Sequence, residues 1–156
     1  MNLPIENVQD YPRPPALEPV PQQIRIVHGG VVLAETRAAF RVLETHHAPT
    51  YYLPPDAFAV PLHPVSGGTY CEWKGVAQYW DIQAPSGTIA RAAWSYPDPT
   101  AGFAPIADYL AVYATKVDRC FVGEMLVTPQ PGDFYGGWVT PNLQGIVKGD
   151  AATRHW

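Results

Sequence analysis

Eighteen prolines and thirteen glycines, together 31 of 156 residues, constrain this chain more than any motif it carries. Proline fixes φ near −65° and removes a backbone donor, and glycine weakens the interior of helices and strands alike. A chain punctuated at this density has room for short strands between turns and little for long helices. Hydrophobic residues make up 47% and charged ones only 15%, so the segments between the breakers are apolar enough to form a core. For a mass of 17.1 kDa, size scaling predicts about 7,700 Å² of folded surface, with about two-thirds of the unfolded surface buried. The expectation is one compact, mainly β domain, β-rich α+β in class, built of short antiparallel strands.

Charge and cysteine usage exclude several function classes. The formal net charge is −4, and the ten Lys and Arg form no basic run, so no nucleic-acid partner is expected. No stretch of eighteen apolar residues exists, so no membrane span is expected. The opening residues, Met1-Asn-Leu-Pro-Ile-Glu-Asn-Val-Gln-Asp10, carry neither a basic nor an apolar leader region. That places the chain in the cytoplasm, where thiols stay reduced. Cys71 and Cys120 belong to no Cys-x-x-Cys, and His28, His46, His47, His63 and His155 follow no ligand spacing. No metal and no cofactor are therefore expected.

Along the chain, residues 11–21 hold five prolines and read as an extended, polyproline-like arm. Residues 1–23 are taken as this arm and 24–156 as the domain. The arm either crosses to a second subunit, giving a homodimer, or folds back to cap its own sheet edge. From Ile24 the pattern is β. Two short strands flank His28-Gly29-Gly30, and further strands are read at residues 40–44, 49–55, 88–96 and 119–127, the last turned at Gly123-Glu124. Pro129 to Trp156 is turn-rich, with residues 134–139 its best extended piece. One segment reads as a helix, near residues 105–116: Ile106, Tyr109, Leu110 and Tyr113 recur at i, i+3, i+4 and i+7. Pro105 suits its first position and Lys116 its C-terminal end.

Reactive and ring-bearing side chains concentrate in Thr69-Tyr-Cys-Glu-Trp-Lys-Gly75 and Ala93-Trp-Ser-Tyr-Pro97. Residues 69–82 read in two ways. A continuous strand puts Tyr70, Glu72 and Lys74 on one face and Cys71 and Trp73 on the other. A turn at Lys74-Gly75 instead pairs Tyr70–Trp73 with Val76–Tyr79. In residues 88–96, alternation gives Ala90, Ala92, Trp94 and Tyr96 one face, so two small residues lie beside two rings. Cys71 is a candidate nucleophile if Lys74 stabilises its thiolate, with Glu72 as the adjacent carboxylate. No residue type near them supplies a group to orient a base, and a core-facing Cys satisfies the same pattern. Trp73, Trp80, Trp94, Tyr79 and Tyr96 serve equally as core or as the walls of a stacking cleft for a planar or sugar-like ligand. Arg91 is the preferred anchor for such a ligand, with Trp73, Trp94 and Tyr96 around it. Ser66, Ser86 and Ser95 sit in no nucleophile elbow.

Several segments carry a family resemblance. They are Val27-His-Gly-Gly-Val-Val-Leu-Ala-Glu-Thr36, Pro49-Thr-Tyr-Tyr-Leu-Pro54, Cys71-Glu-Trp-Lys-Gly75, Ala93-Trp-Ser-Tyr-Pro97, Gly132-Asp-Phe-Tyr-Gly-Gly-Trp-Val-Thr-Pro141 and Thr153-Arg-His-Trp156. Over roughly residues 24–156 the chain resembles the domain of unknown function 427 family, in a longer bacterial branch. The resemblance implies a compact, β-tent-like domain with little helix and transfers no catalytic residue. The family's old nucleotidyl-transfer label has no support in the residues, which lack a Gly-x-x-x-x-Gly-Lys-Ser/Thr loop and paired metal-binding Asp. Three functions remain: a small-molecule-binding domain with an aromatic cleft near Cys71–Lys74 and Trp94–Tyr96, an enzyme using Cys71, Glu72 or Lys74, and a dimeric structural or interaction module.

Overall fold

Alternating apolar side chains around glycine turns build the first hairpin. In the computed structural model, which describes residues 3–12, 15–66, 70–71, 74–131, 136–145 and 147, strand Ile24–His28 pairs antiparallel with Val31–Thr36. Ile24 and Ile26 are buried and Arg25 is exposed, the period of two expected of a strand with one covered face. Gly29 and Gly30 both take positive φ, 59° and 75°, which a two-residue hairpin turn requires. Arg119–Val122 pairs with the other side of Ile24–His28 and turns at Gly123-Glu124 into Met125–Leu126, completing a four-stranded sheet.

A second four-stranded sheet runs in the order Leu110–Val112, Gly87–Ser95, Gln78–Ala84, Leu62–Val65. Ile24, Ile26, Leu33, Cys120 and Val122 from the first sheet meet Ile82, Ala92, Ala93, Leu110 and Val112 from the second in one apolar cluster. The other face of the second sheet carries Tyr79, Trp94 and Ala111, which form a second cluster with Val42, Tyr52, Tyr96, Phe103 and Ile106. Val42 and Tyr52 come from a three-stranded sheet of Ala16–Val20, Ala39–Leu43 and Thr50–Tyr52. Leu53 and Leu110 join it to the second sheet by exchanging two backbone hydrogen bonds of 2.8 Å each. The accessible surface is 7743 Å², close to what the mass predicts for a compact chain. The β-rich reading holds, and the sheets are antiparallel apart from the short parallel pair Glu6–Asn7 with Leu143–Gln144.

The helix expected near residues 105–116 is a correction. A 3₁₀ segment covers Ala101–Ile106, Leu110–Val112 is a strand, and a second 3₁₀ turn covers Ala114–Lys116. Asp108 adopts φ 63°, which no α-helix admits. Backbone partners far away in sequence decide the matter: Leu110 bonds Leu53, and the Tyr113 N–H donates to the Ala92 carbonyl at 2.8 Å. Of the two readings of residues 69–82, neither holds as expected. The chain does reverse, but Gly75 lies in a strand and not in the turn, with Tyr70 paired to Val76 and Cys71 to Gly75. Gln78–Ala84 pairs with Leu62–Val65 and Gly87–Ser95 instead. Gly75 takes φ 103°, and a side chain there would meet the Asp98 carbonyl at 3.1 Å. Within the proline-rich arm, Ala16–Val20 pairs along its whole length with Ala39–Leu43. It lies on the edge of its sheet, where Pro19 costs no ladder bond to a further strand.

Candidate functional site

Among the described residues, the other face of the second sheet gathers most of the rings. Tyr79 and Trp94 are direct cross-strand partners, and Trp94 is opposite Ala111 on its other side. Trp94 stacks at a tilt on Tyr113, with centroids 4.4 Å apart, and Tyr52 reaches both Trp94 (6.4 Å) and Tyr96 (6.3 Å). Such pairs contribute about 0.5–1.5 kcal/mol beyond the area they bury. Trp94 and Tyr96 are only 7% and 6% exposed. They are members of the core, and it is the rim around them that stays open.

Two cations occupy that rim. Half-buried Lys74 places its Nζ 5.8 Å from the centre of the Tyr96 ring, and exposed Arg91 places its guanidinium 4.4 Å from that of Tyr79. Arg91 owes its position to an irregularity in the ladder. Trp80 pairs with Ala93 but Ile82 with Ile89, so Ala90, Arg91 and Ala92 face Asp81 alone. Arg91 takes φ 48°, a left-handed conformation that costs a non-glycine residue about 1–3 kcal/mol. The Asp81 carboxylate holds it there, accepting the Arg91 backbone N–H at 2.8 Å. This bulge also corrects the expected small-residue face, because Ala90 is exposed while Ala92 faces the first apolar cluster. Tyr113 sits between these groups. Burial raises its phenol above the ordinary range, as do the charge and hydrogen bond of Tyr79, while Arg91 pulls the other way.

Of the residues singled out in the sequence, Lys74, Arg91, Trp94 and Tyr96 thus converge on one cluster. Trp80 does not. It packs against the opposite cluster and donates its indole N–H to Ser95 Oγ at 2.9 Å. Glu72, Trp73 and the Cys71 side chain lie outside the described residues. Cys120 is buried, and burial pushes its thiol up to about 12, which leaves it no thiolate character. Tyr52, Tyr109 and Tyr113 belong to the site and were not singled out. A period-two reading finds the last two, since Tyr109, Ala111 and Tyr113 face this cluster while Leu110, Val112 and Ala114 face the other. Gly136 is also part of it, for a Cβ there would overlap the Trp94 ring.

Three polar groupings stand elsewhere. Arg41, buried to 3% exposure, gives two hydrogen bonds to Glu6 (2.9 and 2.7 Å) and one to Glu18 (2.6 Å). Glu6 also accepts from the Tyr11 hydroxyl at 2.9 Å. His28 Nδ1 lies 3.5 Å from Asp118, and His47 lies 3.9 Å from Glu44. Among the described residues no three His, Cys, Asp or Glu are grouped as metal ligands would be. No helix among them is long and apolar enough to cross a membrane.

Residues 16–123 match the model of a family described as domain of unknown function 427. The chain belongs to that family. Within the domain of unknown function 427 match lie Lys74, Arg91, Trp94, Tyr96 and Tyr113, whereas Gly136 and Trp138 fall beyond it. The matched segment opens with the edge strand Ala16–Val20 inside the proline-rich stretch. No curated protein matches the chain.

Proposed function

We propose that this member of the domain of unknown function 427 family is a small-molecule-binding domain. Its ligand lies on the rim of the aromatic cluster, with Lys74 and Arg91 as polar contacts and Tyr113 as a half-buried ring. One observation carries the reading: two cations lean on rings of the same cluster, Lys74 on Tyr96 and Arg91 on Tyr79. A planar or sugar-like molecule meets there the apolar surface and the few fixed polar groups that such sites combine. Thermal-shift and calorimetric screening of planar and sugar-like compounds tests it. Binders are expected to raise the midpoint of unfolding, and Lys74→Ala or Tyr113→Ala to weaken them by about tenfold. A screen in which nothing binds at millimolar concentration removes the reading.

A dimeric interaction module is the second reading, favoured by Val31, Val32 and Leu126. All three are exposed on the two edge strands of the first sheet. Light scattering on the full chain at tens of micromolar decides it, a mass of 17.1 kDa counting against the dimer.

A further inference from the structure

The charge at this rim points further, to the class of ligand, and the inference rests on the small-molecule reading above. Acidic residues outnumber basic ones, 14 to 10, so an arginine here has no shortage of carboxylates to choose from. Arg41 takes two of them. Neither Lys74 nor Arg91 has a carboxylate partner among the described residues; each meets the face of a tyrosine instead. Asp81, the nearest acid in the ladder, accepts the Arg91 backbone N–H and so acts on its main chain. A bulge of this kind re-aims a side chain. Here it carries an exposed guanidinium, whose planar fork matches carboxylate or phosphate oxygens in pairs. The Tyr79 ring holds that guanidinium from one side, and Tyr113, hydrogen-bonded to Tyr79, offers a ring beside it.

We propose that the ligand is an anion: a planar ring bearing a carboxylate or phosphate, with the anionic group on Arg91, the ring against Tyr113, and Lys74 adding a second positive charge. Arg91 is then a residue that determines specificity for charge.

Calorimetry on the full chain tests this with three probes: indole-3-acetate, phenyl phosphate and the neutral indole-3-acetamide. The acetate is expected to bind at least about tenfold more tightly than the amide, the size of one charge-assisted hydrogen bond. Raised salt should narrow that gap. Whether acetate or phenyl phosphate binds better identifies the anionic group. Arg91→Gly suits the left-handed backbone and removes the whole side chain, the guanidinium with it. It should abolish the preference for the anion, so that acetate and amide bind alike, while Arg91→Lys keeps part of it. Equal binding of acetate and amide, or an anion affinity unmoved by Arg91→Gly, overturns the proposal and leaves the small-molecule reading standing. Failure of all three probes, together with an empty screen, sinks both.

Discussion

Arg41 is the residue on which the N-terminal segment depends. Its guanidinium is buried and hydrogen-bonded to both Glu6 and Glu18, and removing one partner of such a group strands the other without water. Arg41→Met is expected to lower the unfolding free energy by about 3 kcal/mol, read from urea titrations. Glu18 is 44% exposed, so Glu18→Gln should cost less than about 1 kcal/mol. Acid acts through Glu6. Burial alone raises its carboxyl, but the Arg41 hydrogen bonds and charge, with the Tyr11 hydroxyl, bring it below the ordinary value. A carboxyl held low contributes stability above its unfolded pKa, about 4.3, and loses it as pH falls through the native value. Stability should therefore drop on acidification below about pH 4.3, and Glu6→Gln should flatten that part of the profile. An unchanged profile would show that Glu6 is not the linked group. At Gly137 the constraint is space. A Cβ would lie 2.5 Å from the Ala48 carbonyl oxygen, which is backbone and cannot swing aside. Gly137→Ala should destabilise by about 1–3 kcal/mol, a loss visible as a lowered thermal midpoint.

At the scale of elements, the strand Leu110–Val112 carries the spacing of a helix without being one. Ile106, Tyr109, Leu110 and Tyr113 satisfy a helical period, but a short buried strand between two apolar clusters is apolar on both faces and fits that period too. Leu53 and Ala92 supply the hydrogen bonds that choose between the readings, and they lie far away in sequence. The hairpins at Gly29-Gly30 and Gly123-Glu124 were legible because their turn chemistry is local. Ala16–Val20 belongs with the elements decided at long range. A chain beginning at Gln22 would lose that strand together with Glu6 and Glu18, leaving the Ala39–Leu43 edge open around an unpaired Arg41. It is expected to aggregate or to lose its circular-dichroism transition. A truncated chain with the full chain's melting temperature would contradict this account of the edge.

The whole molecule ties its two ends together. Glu6–Asn7 pairs with Leu143–Gln144, and Asn142 Nδ2 donates to the Pro4 carbonyl at 2.9 Å. Ending the chain at Pro141 is therefore expected to speed deuterium uptake in residues 3–12, and unchanged uptake there would argue that Arg41 alone holds them. The sequence by itself determined what depends on neighbours along the chain. Proline and glycine density excludes long helices, alternation places Ile24 and Ile26 inward, and paired glycines turn the first hairpin. It also picked out Lys74, Arg91, Trp94 and Tyr96, which fall on one aromatic cluster. Only tertiary structure decided how they meet. Trp80 went to the opposite face of its sheet, and Tyr113 came from a segment read as helix. The two extra residues at Ala90–Ala92 turned Arg91 onto Tyr79. Cross-strand register and bulges follow from hydrogen bonds between distant segments, and one residue of slip changes the face a side chain occupies.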